Sequence, residues 1–169
     1  MEGKYITLRP IKKEDLKCLN KWKNDEEVFK FLGGGFHPIS IDQQEKWMDS
    51  LIDMTGNNKR FIITDLSGKS IGMIGLYGIN WIHRTCEVGI YIGEKDVQHK
   101  GYAGEAYNMI ERYASDYLNI RKINLNAVSD NIPAISFWSK AGFKKVGELH
   151  NERYIKGKYH NLTIMEKFL

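Results

Sequence analysis

The chain has 169 residues, of which 42% are hydrophobic and 27% charged, enough for a single domain over 1–169 around one core. No apolar run approaches the ~20 residues that cross a bilayer. Met1-Glu2-Gly3-Lys4-Tyr5 shows no secretory signal, so a cytoplasmic protein with no membrane partner is expected. Cys18 and Cys86 are too few for a disulfide framework or a metal site, and the net charge of +4 suits an anionic cofactor without calling for nucleic acid.

Lys4–Arg9 alternates apolar and polar residues and reads as a first strand, ended by Pro10. Leu16, Leu19 and Trp22 place a helix over Lys12–Lys23. Asn24-Asp25 breaks it, and a short helix follows over Glu26–Leu32. Gly33-Gly34-Gly35 opens a flexible stretch through Phe36-His37-Pro38-Ile39, either a lid over a substrate or a plain connector. Ser40-Ile41-Asp42-Gln43 resembles a capping box that starts a third helix, with Trp47, Leu51 and Met54 as its apolar stripe. Arg60–Thr64 and Ser70–Tyr77 form a hairpin through Leu66-Ser67-Gly68-Lys69. Gly78–Thr85 is a connector, and Cys86–Ile92 is the fourth strand.

Next comes Val97-Gln98-His99-Lys100-Gly101-Tyr102-Ala103-Gly104-Glu105-Ala106. Strand, glycine loop and helix in that order aim backbone N–H groups outward at a helix N-terminus, which is a seat for phosphate. Gly101 and Gly104 admit close approach to the backbone. The helix runs to about Leu118, with Ala103, Ala106, Tyr107, Ile110, Tyr113, Ala114 and Tyr117 at a period near 3.6. Lys122–Val128 is a fifth strand, and Pro133–Ala141 a helix closed by Gly142. Phe143–Leu149 and Tyr159–Phe168 are the last strands, with a turn at Lys156-Gly157-Lys158. The strand–helix–strand order from Cys86 onward requires a crossover, so the sheet is mixed.

Two motifs carry a resemblance. Gln98-x-x-Gly101-x-Ala103 resembles the pyrophosphate loop Q/R-x-x-G-x-G/A of the GCN5-related N-acetyltransferases (GNAT). Asn131-x-x-Ala134-x-x-Phe137-Trp138-x-Lys140-Ala141-Gly142-Phe143 is similar to that family's segment after strand five. The order of elements also matches from end to end. Leu8-Arg9-Pro10, Ile79–Arg84 and Tyr154–His160 look most like the ribosomal-protein-alanine and spermidine acetyltransferase group. The resemblance implies an α/β (α+β) GNAT fold. Its sheet is mixed, mostly antiparallel, with six to seven strands flanked by helices and splayed between strands four and five.

It also implies acetyl-CoA as cofactor, with the pyrophosphate on N–H groups of Gln98, His99, Lys100, Gly101, Tyr102, Ala103 and Gly104. Backbone groups of Ile90, Tyr91 and Ile92 would serve the pantetheine arm, one of them polarising the acetyl carbonyl. Asn131, which also reads as a helix N-cap, Phe137 and Lys140 join the cofactor set. The acceptor is a primary amine on a protein N-terminus, a polyamine or similar, attacking directly in a ternary complex. An amino sugar, a nucleotide-linked amino sugar or an aminoglycoside is the alternative, and the basic balance counts against a polyamine.

Glu87 is the candidate base. Alternation puts it with Gly89 and Tyr91 on one face, and an edge salt bridge is its other reading. His83 and His37 are the fallback bases. Trp138 stands where the family often has a tyrosine acid. Indole donates a hydrogen bond but is no practical proton source, so Trp138 either orients the sulfur region or is a core aromatic. Ser136, Ser139 or a water then protonates the thiolate, or the thiolate leaves unaided. A non-catalytic acyl-CoA-binding module stays open for the same reason. Trp22, Asn24, Phe36, His37, Trp47 and Tyr159 are the substrate candidates, and a homodimer is compatible with all of this.

Overall fold

The computed structural model describes residues 1–169 and is organised by one seven-stranded sheet, order β1-β2-β3-β4-β5-β7-β6. β1 (Ile6–Pro10), β2 (Lys59–Asp65), β3 (Ser70–Asn80) and β4 (Thr85–Ile92) form an antiparallel meander. β5 (Lys122–Val128) joins β4 in parallel. β7 (Lys158–Phe168) and β6 (Lys144–Ile155) complete the sheet antiparallel. The mixed, mostly antiparallel architecture is therefore the one the resemblance implies.

β4 and β5 share three register positions, from Thr85 opposite Lys122 to Glu87 opposite Asn124. β4 nevertheless continues to Ile92, and β5 to Val128. The two strands part just past Glu87, and the sheet opens there.

Helices cover both faces. α4 (Tyr102–Asp116) and α5 (Ile132–Lys140) lie over the main core, which includes Phe61, Ile74, Leu76, Val88, Ile110, Ile123 and Leu125. α1 (Leu16–Lys23), α2 (Glu26–Phe29) and α3 (Ile41–Ile52) cover the other face through a smaller cluster of Leu19, Trp22, Met48 and Ile62, with Met73 and Tyr91 against it. The alternation of β4 follows this division. Val88, Ile90 and Ile92 pack with the main core, and Tyr91 packs with the smaller cluster.

Several boundaries move. Pro10 belongs to β1, opposite Phe61, because an outermost strand asks for no N–H on its free side. β3 runs on to Asn80 through the expected connector. β6 reaches Ile155 instead of stopping at Leu149, because register shifts near Lys145–Gly147 and Leu149–Arg153 break the two-residue period. α3 buries Gln44 and Met48 and leaves Trp47 44% exposed, while Leu51 and Met54 pack against the core as expected. Tyr117 falls just beyond α4 and is exposed.

Candidate active site

β4 ends against α1. A Cβ on Gly93 would stand 2.3 Å from the Trp22 ring, so only glycine fits there. A short 3₁₀ turn, Lys95–Val97, then buries Val97 and delivers the loop. His99 (φ 63°) and Gly101 (φ 84°) both take the left-handed conformation, and α4 opens at Tyr102 with Gly101 as its cap.

The N–H groups of His99, Lys100, Gly101, Tyr102 and Ala103 donate to no protein acceptor, whereas those of Gly104 and Glu105 bond the Gly101 carbonyl at 3.0 and 3.2 Å. Free donors together with the positive end of a fifteen-residue helix make this a favourable place for an anion. The first-turn acid does not oppose it. The Glu105 carboxylate is engaged by the backbone N–H groups of Lys4 and Tyr5.

Gln98 does something other than expected. Its backbone N–H bonds the Lys95 carbonyl at 3.3 Å, and its side-chain amide donates to the Ile92 carbonyl at 3.0 Å. It fastens the loop to the end of β4 and offers no free backbone donor.

A cleft of ≈ 430 Å³ lies between this loop and α5. One wall is Ile92, Val97, His99, Gly101, Tyr102, Ala103 and Gly104, and the other is Pro133, Ser136, Phe137 and Lys140. Most of the expected cofactor residues are thus brought together across two elements. Val97 and Pro133 were not foreseen. Val97 reads as an ordinary apolar loop residue, and Pro133 as a helix-start signal. Lys100 is exposed beside the cleft without lining it. Asn131 accepts from the Ala134 N–H at 3.3 Å, which is the N-cap role.

The backbone of β4 divides as follows. The Gly93 N–H bonds the Ile71 carbonyl on the β3 side at 2.8 Å. Alternation then turns the main-chain groups of Tyr91 toward β3 and those of Ile90 and Ile92 toward β5. Past Glu87 there is no β5 partner, so the Ile90 N–H and carbonyl face the opening, while Gln98 takes the Ile92 carbonyl. Tyr91 is the exception to the expected set. Its backbone faces the other way, and its ring packs on Phe29 and Trp22, centroids 5.2 and 5.9 Å away. Burial holds its phenol well above the usual value.

Glu87 shares the Tyr91 face of β4, with Tyr77 and Asn124 beside it in register. It is exposed and joins no ion pair, so the salt-bridge alternative finds no partner. Asn126, exposed two residues on, continues this polar floor along β5. Burial raises the neighbouring Tyr77 phenol above its usual range, and Arg60 opposes the shift.

Two expected site residues are core residues. Trp22 is fully buried, its indole N–H donating to Glu94 at 2.8 Å. Trp138 is 6% exposed, edge-on to Tyr107 and Phe143 at 5.4 and 5.2 Å, and the cleft is lined by its neighbours Phe137 and Ser136 instead. The spacing that put both on helices was right, but which way a helix faces is set by tertiary packing. Asn24 is structural, since its amide holds Ile39 from both sides, at 2.9 and 2.8 Å. Phe36 is half-buried, His37 and His83 are exposed, and Tyr159 is 65% exposed, its ring 5.0 Å from that of Tyr154.

Comparison with known proteins adds the following. A family model described as an acetyltransferase (GNAT) domain matches residues 8–164. Spermidine N(1)-acetyltransferase of Vibrio cholerae is 29% identical over 160 residues, covering 95% of this chain and 91% of that protein. The enzyme of the same name from Escherichia coli K12 is also 29% identical, covering 95% of this chain and 84% of its own. The crystal structure of the V. cholerae enzyme in complex with CoA and spermine superposes with a TM-score of 0.90 at 28% identity, covering 98% of this chain and 96% of that one.

Proposed function

Because the chain belongs to the acetyltransferase (GNAT) family, we propose that its cleft holds acetyl-CoA and that Glu87 prepares a primary amine for attack. The observation that carries this reading is the run of five free N–H groups, His99 to Ala103, beside a cleft whose wall includes Ile92 at the end of β4. These donors suit a pyrophosphate, with Lys140 adding positive charge on the opposite wall. An alanine Cβ at Gly104 would meet no protein atom within 4 Å, which leaves room for a ligand against the helix end. Phe137 and Ile92 give the pantetheine arm apolar surface, and Ile90 offers it the N–H and carbonyl that β5 does not use.

When bound, acetyl-CoA supplies an acetyl thioester. The Ile90 N–H, left without a β5 partner, is the donor that would stabilise negative charge on the acetyl oxygen. On the other face the Glu87 carboxylate takes a proton from the ammonium, directly or through a water, so the lone pair is free to attack. Ser136 lines the cleft and is the hydroxyl nearest in role to a proton donor for the thiolate. Trp138, packed in the core, acts through the shape of α5.

For the acceptor, the relatives named for spermidine support a polyamine. A second reading, an amino sugar free or nucleotide-linked, draws on the ion pairs around the acceptor side. Glu26, Glu27 and Asp25 there are each paired with a lysine, Lys156, Lys30 and Lys95, at 2.7–2.9 Å. A polycation would have to displace these lysines or use Glu87, which joins no ion pair. The test is calorimetry with CoA, then free-thiol release from acetyl-CoA over polyamines, amino sugars, aminoglycosides and N-terminal peptides. CoA uptake and thiol release with one amine class are expected. No CoA uptake overturns the reading.

A further inference from the structure

The link between α2 and α3 carries Gly33-Gly34-Gly35, and each glycine has a side-chain nitrogen beside it. The Arg153 Nη2 stands 3.8 Å from where a Cβ would sit on Gly33. The Lys23 Nζ stands 4.0 Å from that point on Gly34, and the His37 Nε2 4.0 Å from it on Gly35. The three come from β6, α1 and the loop itself. None of them has a carboxylate within 4.0 Å.

Two further observations show that Arg153 and Lys23 are not merely surface charges. The Arg153 Nε is buried and has no hydrogen-bond partner, although its Nη1 reaches the Gly33 carbonyl. Lys23 is partly buried, its ammonium over the Phe29 ring at 4.5 Å, and desolvation pulls its pKa down. Cations held partly out of water with no counter-charge carry a desolvation cost that an anion would offset. The Gly33 and Gly34 N–H groups also lack a protein acceptor, so the loop offers main-chain donors beside the side-chain ones. Three glycines leave the backbone open to a group with several oxygens.

The position gives this arrangement a purpose. The loop follows the helices packed on the Tyr91 face of β4, which is also the Glu87 face. Arg153 ties it to the β6–β7 hairpin, on the far side of the opening. We propose that Arg153, Lys23 and His37 receive a phosphate group of the acceptor, so that the substrate is a phosphate-bearing amine. The Arg153 Nη2, left free by the Nη1 bond to Gly33, and the Lys23 ammonium are charged donors of the kind that hold phosphate. This inference rests on the acetyltransferase reading only in assigning the phosphate to the acceptor.

The experiment keeps the two apart. The protein is first saturated with CoA, which fills the cleft at α4 and by itself tests the acetyltransferase reading. It is then titrated with inorganic pyrophosphate in a calorimeter. Wild type is expected to bind, and Lys23→Gln and Arg153→Gln each to weaken binding about tenfold, the loss of one charged hydrogen bond, with CoA affinity unchanged. Lys23→Gln covers the case in which Arg153→Gln disturbs the hairpin. In the second arm, thiol release is compared for glucosamine, glucosamine 1-phosphate and spermidine, and the phosphorylated amine is expected to have the highest kcat/KM. Absence of pyrophosphate binding by the CoA-saturated protein overturns the proposal, as does binding unaffected by both variants. A preference for spermidine overturns it as well.

Discussion

Gly104→Ala separates stability from ligand binding at one position. Gly104 is the third residue of α4, and an added Cβ meets no protein atom within 4 Å. Replacing a helical glycine with alanine stabilises by about 0.5–1 kcal/mol, which at about 2–4 °C per kcal/mol for a chain of this size raises Tm by about 1–4 °C. Gly104 lines the same cleft as Tyr102 and Ala103, whose N–H groups are free, so the methyl takes up space a phosphate would use. Pushing a phosphate off one charged hydrogen bond costs about 1.5–3 kcal/mol, or about 10- to 150-fold in Kd. Thermal unfolding without ligand and calorimetric titration with CoA read the two effects separately. Gly101→Ala is the companion variant. It also points into open space, but at φ 84°, where an L residue pays about 1–2 kcal/mol, so its Tm should fall. Unchanged CoA affinity in Gly104→Ala, or a Tm that drops as far as that of Gly101→Ala, would refute the reasoning.

Three other outcomes are expected. Glu87→Gln should lower kcat by about 10²–10⁴ and leave the Kd for CoA unaltered, and full turnover in this variant would remove Glu87 from the chemistry. Gly93→Ala places a methyl 2.3–2.5 Å from Trp22 ring atoms and should cost about 1–3 kcal/mol by overpacking, read as a lower urea midpoint; an unmoved midpoint would mean the indole shifts freely. Asp15 is pushed up by burial but held lower on balance by the Arg9 fork at 2.6 and 2.8 Å, the Lys12 N–H and Ser70. Its folded pKa lies below the unfolded value, so its stabilisation is complete above the ordinary carboxylate pKa of about 3.9 and fades as pH falls through the depressed value. Asp15→Asn should therefore cost about 2–3 kcal/mol at pH 7, a Tm lower by about 4–12 °C. The gap to wild type should close in acid, and a gap independent of pH between 7 and 2 would contradict the assignment.

What the sequence made legible is what local chemistry determines. The glycine loop, the α4 start and the Asn131 cap each follow from a few adjacent residues whose backbone needs are specific, and the structure puts them where that chemistry requires. Orientation was harder to read. Trp22, Trp47 and Trp138 all have helical spacing, yet Trp22 and Trp138 are buried and Trp47 is exposed, because a helix's buried stripe depends on the sheet it meets. Tyr91 was misread for a similar reason. Strand alternation fixes which backbone groups face β5, but only once the pairing with β3 is known. Arg153 was out of reach altogether, since the irregular register of β6 hides the strand that carries it. Gln98 matches a phosphate-loop motif, yet its amide closes the end of β4, and a motif does not say which of its side chains serve the loop itself.

The sheet separates the two halves of the proposed reaction. Cofactor groups lie with α4 and α5, acceptor groups with α1, α2 and the glycine loop, and a hydrogen-bonded sheet lets nothing through. The one place where neighbouring strands stop pairing in mid-length is just past Glu87 and Asn124. Glu87 is therefore the last β4 residue braced on both sides, by Tyr77 and by Asn124, and Ile90, one turn of the pleat onward, is braced on one side only. A base needs a fixed position, and an oxyanion donor needs a free N–H. The end of the β4–β5 ladder offers both within four residues of one strand, so in the proposed reaction the point at which these strands diverge would itself be a catalytic determinant. Any change that extended the pairing to Ile90 would remove the donor and close the passage together.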